Sequence, residues 1–317
     1  GTITIPIQRG NDYTTTGTQG MPRTASDDNW NLVGNPYPSA IGLNEFLTAN
    51  TDINGFVMVW THGSLPNSSV DPFYENYQYN YYASDYITIN NTGLTSGPGD
   101  YKIGAGQGFF VQMNAGTAGA STVTFNNAMR SRTFANNQFY KSAISKNTVE
   151  SEKGRIWLDL ISSTNSTVRT LVGYLPEATA GKDRLYDAMT DNKNPLNVYS
   201  IIENDPFIIQ GRPAFDVNDQ VPLGIKVPSN GNYTIAIGTT DGLFSGGSQK
   251  IFLQDNLLNT VTDLTLTPYQ FSANQGVTND RFVLRYTNQQ LDINDFELST
   301  SVKVYGSENG IKIDSSI

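Results

Sequence analysis

The chain has 317 residues, one His, no Cys and a net charge of −9 at pH 7. Only 15 % of residues are charged while 11 % are aromatic, which excludes an unstructured polyelectrolyte. Without a basic excess, the usual sequence-independent nucleic-acid surface is missing and the charge disfavours anionic membranes as partners, and without Cys there is no thiol nucleophile, thiolate zinc site or iron–sulfur cluster.

Asn and Thr fill the place of the missing charges, at 33 residues each. Thr, Val, Ile, Tyr and Phe favour strands, and Asn and Gly favour turns. The composition therefore predicts an all-β fold. Gly1-Thr-Ile-Thr-Ile opens the chain without the basic and apolar regions of a signal peptide. No apolar run approaches the roughly 20 residues of a transmembrane segment.

In chain order, Asn35-Pro36-Tyr37-Pro38 fixes two φ angles and predicts a rigid turn. Leu43, Phe46 and Leu47 then fall at i, i+3 and i+4, the spacing of a short helix over Gly42–Asn50. His62, the one imidazole, reads as a strand-end side chain, since no Gly-x-Ser-x-Gly elbow or metal partner accompanies it. From Phe73 to Tyr86 the chain is Tyr-rich. If that stretch is extended, Tyr77, Tyr79 and Tyr81 line one side among amides, as a candidate binding face for a glycan or a surface ligand.

Gly104-Ala-Gly-Gln-Gly108 contains a glycine spacing used for phosphates, but a strand-like run follows where a helix would be required. It reads as a turn before Phe109, Val111 and Met113, which share one face. Thr122–Phe125 is the next strand, ended by Asn126-Asn127. Residues 141–153 lack aromatics and periodicity and predict a linker between a first sandwich, 1–140, and a second, 154–287. A further turn of helix is expected near Asp183–Met189.

The second half alternates at Ile156–Leu160, Tyr233–Ile237 and Arg281–Tyr286. In the last, Phe282, Leu284 and Tyr286 face inward, and Arg281 and Arg285 flank Val283 on the other face. Asp216-Val-Asn-Asp219 and Asp292-Ile-Asn-Asp295 cluster oxygens that would suit calcium, or Asx turns between strands. Carboxylates are plentiful, but no spacing selects a glycosidase pair. No catalytic residue is assigned and the chain reads as a non-enzyme. In the tail, residues 288–317, Val302 and Val304 alternate before Asn309-Gly310, and Ile311 and Ile313 after it, a hairpin pattern.

Trp30–Ile41, Gly104–Val111 and Thr124–Arg130, in that order, resemble a module common in large exported proteins of Bacteroidota, especially flavobacteria. Ile251–Leu257, Tyr269–Ala273 and Asp280–Arg285 resemble the module that follows it there. Ser301–Tyr305 and Ile311–Asp314 are similar to the start of a type IX secretion sorting domain, although a complete one has several more strands. The resemblance implies two consecutive jelly-roll or Ig-like β-sandwiches, export by the type IX machinery and an extracellular, cell-surface location. It implies a non-catalytic structural, presenting or adhesion role. A fibre subunit that self-associates through its strands, and a carbohydrate-binding ancillary module, are the alternatives.

Overall fold

A computed structural model describes residues 1–9, 29–61, 85–99, 101–114, 119–134, 153–190, 194–288, 302–307 and 310–315. Two units are distinguished, Gly1–Tyr286 and Thr287–Ile317. The architecture is all-β.

In the first part of Gly1–Tyr286, β1 (Thr2–Gln8) pairs along its length with β8 (Ala120–Asn126). A four-stranded antiparallel sheet runs β2 (Trp30–Gly34), β7 (Gly108–Met113), β4 (Ile53–Trp60), β5 (Tyr86–Ile89). Short β3 (Ile41–Gly42) pairs with β6 (Lys102–Ile103). Alternation sends Val33, Val57, Val59, Phe109, Val111 and Met113 into one core with Ile7, Val123 and Phe125. The expected helix is present as α1 (Leu43–Ala49), and its Leu43, Phe46 and Leu47 are buried there. The Phe46 ring lies 5.2 Å from Phe109 and 5.1 Å from Phe125.

The second part is one sheet of eleven strands: β9 (Gly154–Ser162), β10 (Thr167–Tyr174), β11 (Ala188–Met189), β12 (Asn197–Ile202), β13 (Asp205–Arg212), β14 (Gln220–Val227), β15 (Gly231–Gly242), β16 (Phe252–Asp255), β17 (Thr260–Asp263), β18 (Tyr269–Ala273) and β19 (Gly276–Arg285). Their order is β17-β16-β19-β14-β12-β13-β10-β9-β15-β18, with β11 beside β13. The β10–β13 pair is parallel. The two edge strands, β17 and β18, are consecutive in the chain. The sheet therefore folds over itself around Leu158, Leu160, Val221, Leu223, Ile235, Phe271, Phe282 and Leu284.

The two cores are distinct but meet. Phe56 of β4 packs with Trp157, Leu171, Ala188 and Ile209 in a third cluster. Trp157 donates its indole N–H to the Leu94 carbonyl at 2.7 Å. Arg155 donates to Thr92 O at 3.1 Å. Of the expected linker only Lys153 is among the described residues. Residues on both sides of it belong to the one compact unit.

One expectation is corrected at β19. Phe282, Leu284 and Tyr286 do enter the core, but Arg281 and Arg285 are buried too. The face expected to meet water is covered, because both guanidiniums reach partners on neighbouring strands. In Thr287–Ile317, β20 (Val302–Ser307) and β21 (Gly310–Ser315) form the expected antiparallel hairpin, with Val304 opposite Ile313.

Candidate functional site

The three quoted segments of the first part converge on Asn35. Its amide donates to the carbonyls of Ser39, Ile103 and Gly104 at 2.9, 3.1 and 2.9 Å, and its Oδ1 accepts from Tyr37 N at 3.0 Å. The backbone of the glycine segment closes the knot. Asn35 N donates to Gln107 O, Gly106 N to Asn35 O, and Gln107 Oε1 accepts from Gly104 N. Gly106 has φ +67, a left-handed conformation that glycine adopts without a Cβ clash. From the third segment, the Arg130 guanidinium lies 4.8 Å from the centre of the Tyr37 ring and donates to Ser39 Oγ at 2.8 Å. Asn126 caps the turn leading to Arg130 by accepting from Ala128 N at 2.9 Å.

The segments of the second part converge on Asp255. Arg281 donates to it through Nε and Nη2, at 2.9 and 2.7 Å to Oδ2, and Tyr269 OH donates at 2.7 Å. Oδ1 accepts the backbone N–H groups of Leu257 and Leu258 at 2.9 and 3.2 Å. Arg281 Nη1 reaches across to Ser272 O at 2.8 Å, which ties β19 to the far edge of the sheet. Its guanidinium also sits 5.0 and 4.9 Å from the Phe271 and Phe282 ring centres. Burial would push the Asp255 carboxyl up. The hydrogen bonds from Arg281 and Tyr269 outweigh that and hold it below the usual carboxylate range.

Residues 1–286 match a family described as "Domain of unknown function (DUF8693)". The chain belongs to this family. The family region ends at Tyr286, the last residue of the compact unit, and Tyr286 is itself buried against Tyr174, Phe215 and Phe244 with ring centres 5.0–5.6 Å away. No curated protein and no solved structure matches the chain.

Other acidic side chains of the family region are engaged in the same way. Asp219 accepts both Nε and Nη2 of Arg212 at 2.5 Å, and Tyr174 OH at 2.8 Å. Asp216 accepts from Asn218 N at 2.9 Å, an Asx turn. The Asp216–Asp219 segment is thus a turn beside a bound guanidinium, whose charge opposes a calcium ion there. Asp159 holds Arg169, and Asp241 holds Arg155. Among the described residues, no group of three or more His, Asp or Glu side chains is placed to hold a metal.

Asp187 differs from Asp255, Asp219, Asp159 and Asp241 in having no guanidinium bonded to it among the described residues. It is 6 % exposed, and its oxygens accept only backbone groups in the bonds seen: Asp183 N at 2.6 Å and Gly211 N at 2.8 Å. Burial pushes its carboxyl up to about 7, against the pull of those two N–H groups.

Tyr77, Tyr79, Tyr81, His62 and Asp292–Asp295 lie outside the described residues. A shallow depression of about 430 Å³ on the outer face of β9, β15 and β18, lined by Asn165, Asn232, Thr234, Gln270 and Ser272 among others, has no counterpart in the sequence reading. Its signal is only polar residues at alternate strand positions, which any solvated face shows.

Proposed function

We propose that the chain is a non-catalytic extracellular, cell-surface or adhesion region of a protein exported by the type IX route. Its role is to present or space other parts. The observation that carries this reading is the use made of the motif residues. Asn35, Gln107, Arg130, Asp255, Tyr269 and Arg281 are spent on holding strands and turns together. A general acid–base pair needs carboxyls free to reach a substrate, whereas Asp255 is occupied by a guanidinium, a phenol and two N–H groups. The likeness of the tail to a sorting domain supplies the route.

The test is export in a flavobacterium that has the type IX machinery. With a signal peptide fused before Gly1 in both chains, the full chain is expected on the cell surface or in the medium. The chain truncated after Tyr286 is expected to remain inside while staying folded. Equal export of both chains sinks the reading, as does hydrolase activity in the purified chain that one carboxylate substitution abolishes.

A second reading, a fibre subunit, is favoured by one observation. Among the described residues, β20 and β21 pair only with each other. A two-stranded hairpin alone is marginal in water, and its open edges could add to a sheet of another chain. Electron microscopy and mass measurement of the full and truncated chains separate the readings, since only the fibre subunit polymerises.

A further inference from the structure

The register of β9, β15 and β18 sets Ile161, Thr234 and Gln270 side by side, with Asn232 opposite Ser272 one step along. Tyr233 and Phe271 alternate with them and are buried beneath. The upper surface is therefore a floor of the amides and hydroxyls of Asn232, Thr234, Gln270 and Ser272 beside the half-buried Ile161, on three hydrogen-bonded strands. Ser163 and Asn165, from the β9–β10 turn, form one wall. Asn165 has φ +62, a left-handed conformation that fixes the wall's backbone.

Two properties select the ligand. First, none of the lining residues is charged, in a chain of net charge −9, so neither an anion nor a cation finds a partner. Second, hydrogen-bonding groups are available. Ser272 Oγ donates to Asn232 Oδ1 at 2.7 Å, which leaves the Asn232 amide N–H groups free to donate. The Gln270 amide and the Thr234 hydroxyl make no hydrogen bond among the described residues. We propose that this depression binds a neutral, hydroxyl-rich ligand, a glycan terminus of one or two sugars. Sugar hydroxyls both donate and accept, matching amides that do the same without charge. The volume lies at the lower end of small-ligand sites. The buried rings offer no stacking face, so recognition rests on hydrogen bonds in an open site. Weak binding, with an affinity on the order of millimolar, is expected of such a site. The site does not depend on the export reading and can fail without it.

The experiment is a nitrogen-15 NMR titration of the full chain. Glucose, galactose, mannose and N-acetylglucosamine are each added to about 50 mM, above that affinity range. N-acetylneuraminic acid serves as the charged control. Saturable shifts are expected for at least one neutral sugar, confined to the Asn165, Asn232 and Gln270 side-chain amides and their backbone neighbours. The pair Thr234→Val with Gln270→Ala should weaken binding about tenfold or more while the melting temperature stays near that of the parent. Asn165→Gly keeps the left-handed backbone, removes one amide, and should weaken binding in a chain that folds normally. The proposal is overturned if no neutral sugar saturates, if the shifts lie elsewhere or survive these substitutions, or if the charged sugar binds as well.

Discussion

Two buried carboxylates, Asp255 and Asp187, respond to pH in opposite directions. Asp255 is fully buried and neutralised by Arg281. Removing the cation leaves an uncompensated charge inside, which costs about 3–5 kcal/mol. Arg281→Met should therefore lower the melting temperature by about 10 °C. Asp255→Asn combined with Arg281→Met should recover part of that loss, because no charge stays buried. Calorimetry on the three chains decides it, and a double variant as unstable as Arg281→Met would refute the pairing argument. Because Asp255 is held below its ordinary value, its contribution is present above the unfolded carboxyl range, about 3.9, and is lost as pH falls through the folded value. Asp187 is raised to about 7. The folded chain then holds more protons than the unfolded chain between about pH 4 and pH 7, so stability at this group falls as pH rises across that window. Urea unfolding at about pH 5 and about pH 8 should show the fall, and Asp187→Asn should flatten it. An unchanged slope in the variant would assign the effect to another group.

The turn between Asp183 and Asp187 is the element that locks the two cores. Arg184 donates Nη2 to the carbonyls of Leu47 and Asn50 at 2.9 and 2.5 Å, and Nε to Ile53 O at 3.0 Å. Leu47 O belongs to the last turn of α1 and also accepts Asn50 N at 3.3 Å, and Asn50 is the residue that ends the helix. A cation at a helix C-terminus is also favoured by the helix dipole. Burial lowers the pKa of Arg184, yet guanidinium stays charged throughout the usable pH range. Opposite, Gly55 approaches so closely that a Cβ there would lie 1.5 Å from Arg184 O. That contact is with backbone and cannot be relieved by a rotamer change. Gly55→Ala should displace the turn and cost about 2–3 kcal/mol or more. Loss of amide protection at Asn91, whose N–H donates to Leu185 O at 3.1 Å, should accompany it in hydrogen exchange. A thermally neutral Gly55→Ala would show that the close approach is not needed.

For the whole molecule, the contacts shared between the cores favour coupled unfolding over separate melting. Phe56, Trp157, Leu171, Ala188 and Ile209 are all buried in the joint cluster. Separating the halves would return those side chains to water, at about 1.5–3 kcal/mol for each large one. Scanning calorimetry of residues 1–286 should give one transition, and two well-separated peaks would favour two sandwiches that unfold independently. Truncation after Tyr286 should leave that transition within a few degrees of the full chain, because the compact unit and the family region both end there. A much earlier melt would make the tail part of the second sandwich.

The local half of this structure is written in the order of the residues. Period-2 alternation placed Phe109, Val111 and Met113 on one core face, and i, i+3, i+4 spacing placed Leu43, Phe46 and Leu47 on α1. Proline and glycine chemistry marked the turns at Asn35–Pro38 and Gly104–Gly108, and the tail hairpin followed from alternation around Asn309-Gly310. These signals act through φ, ψ and side-chain direction within a few residues, so they survive in the one-dimensional string. Which distant groups meet depends on how the strands assemble. Alternation puts Arg281 on the face opposite Phe282, but only the pairing of β16 with β19 brings Asp255 beside it, and only the fold brings Arg184 to the carbonyls of Leu47 and Asn50. The depression exists because β9, β15 and β18 become neighbours, from three separate stretches of chain. Strand pairing over long separations is set by the packing of the whole sheet, and no local spacing rule encodes it.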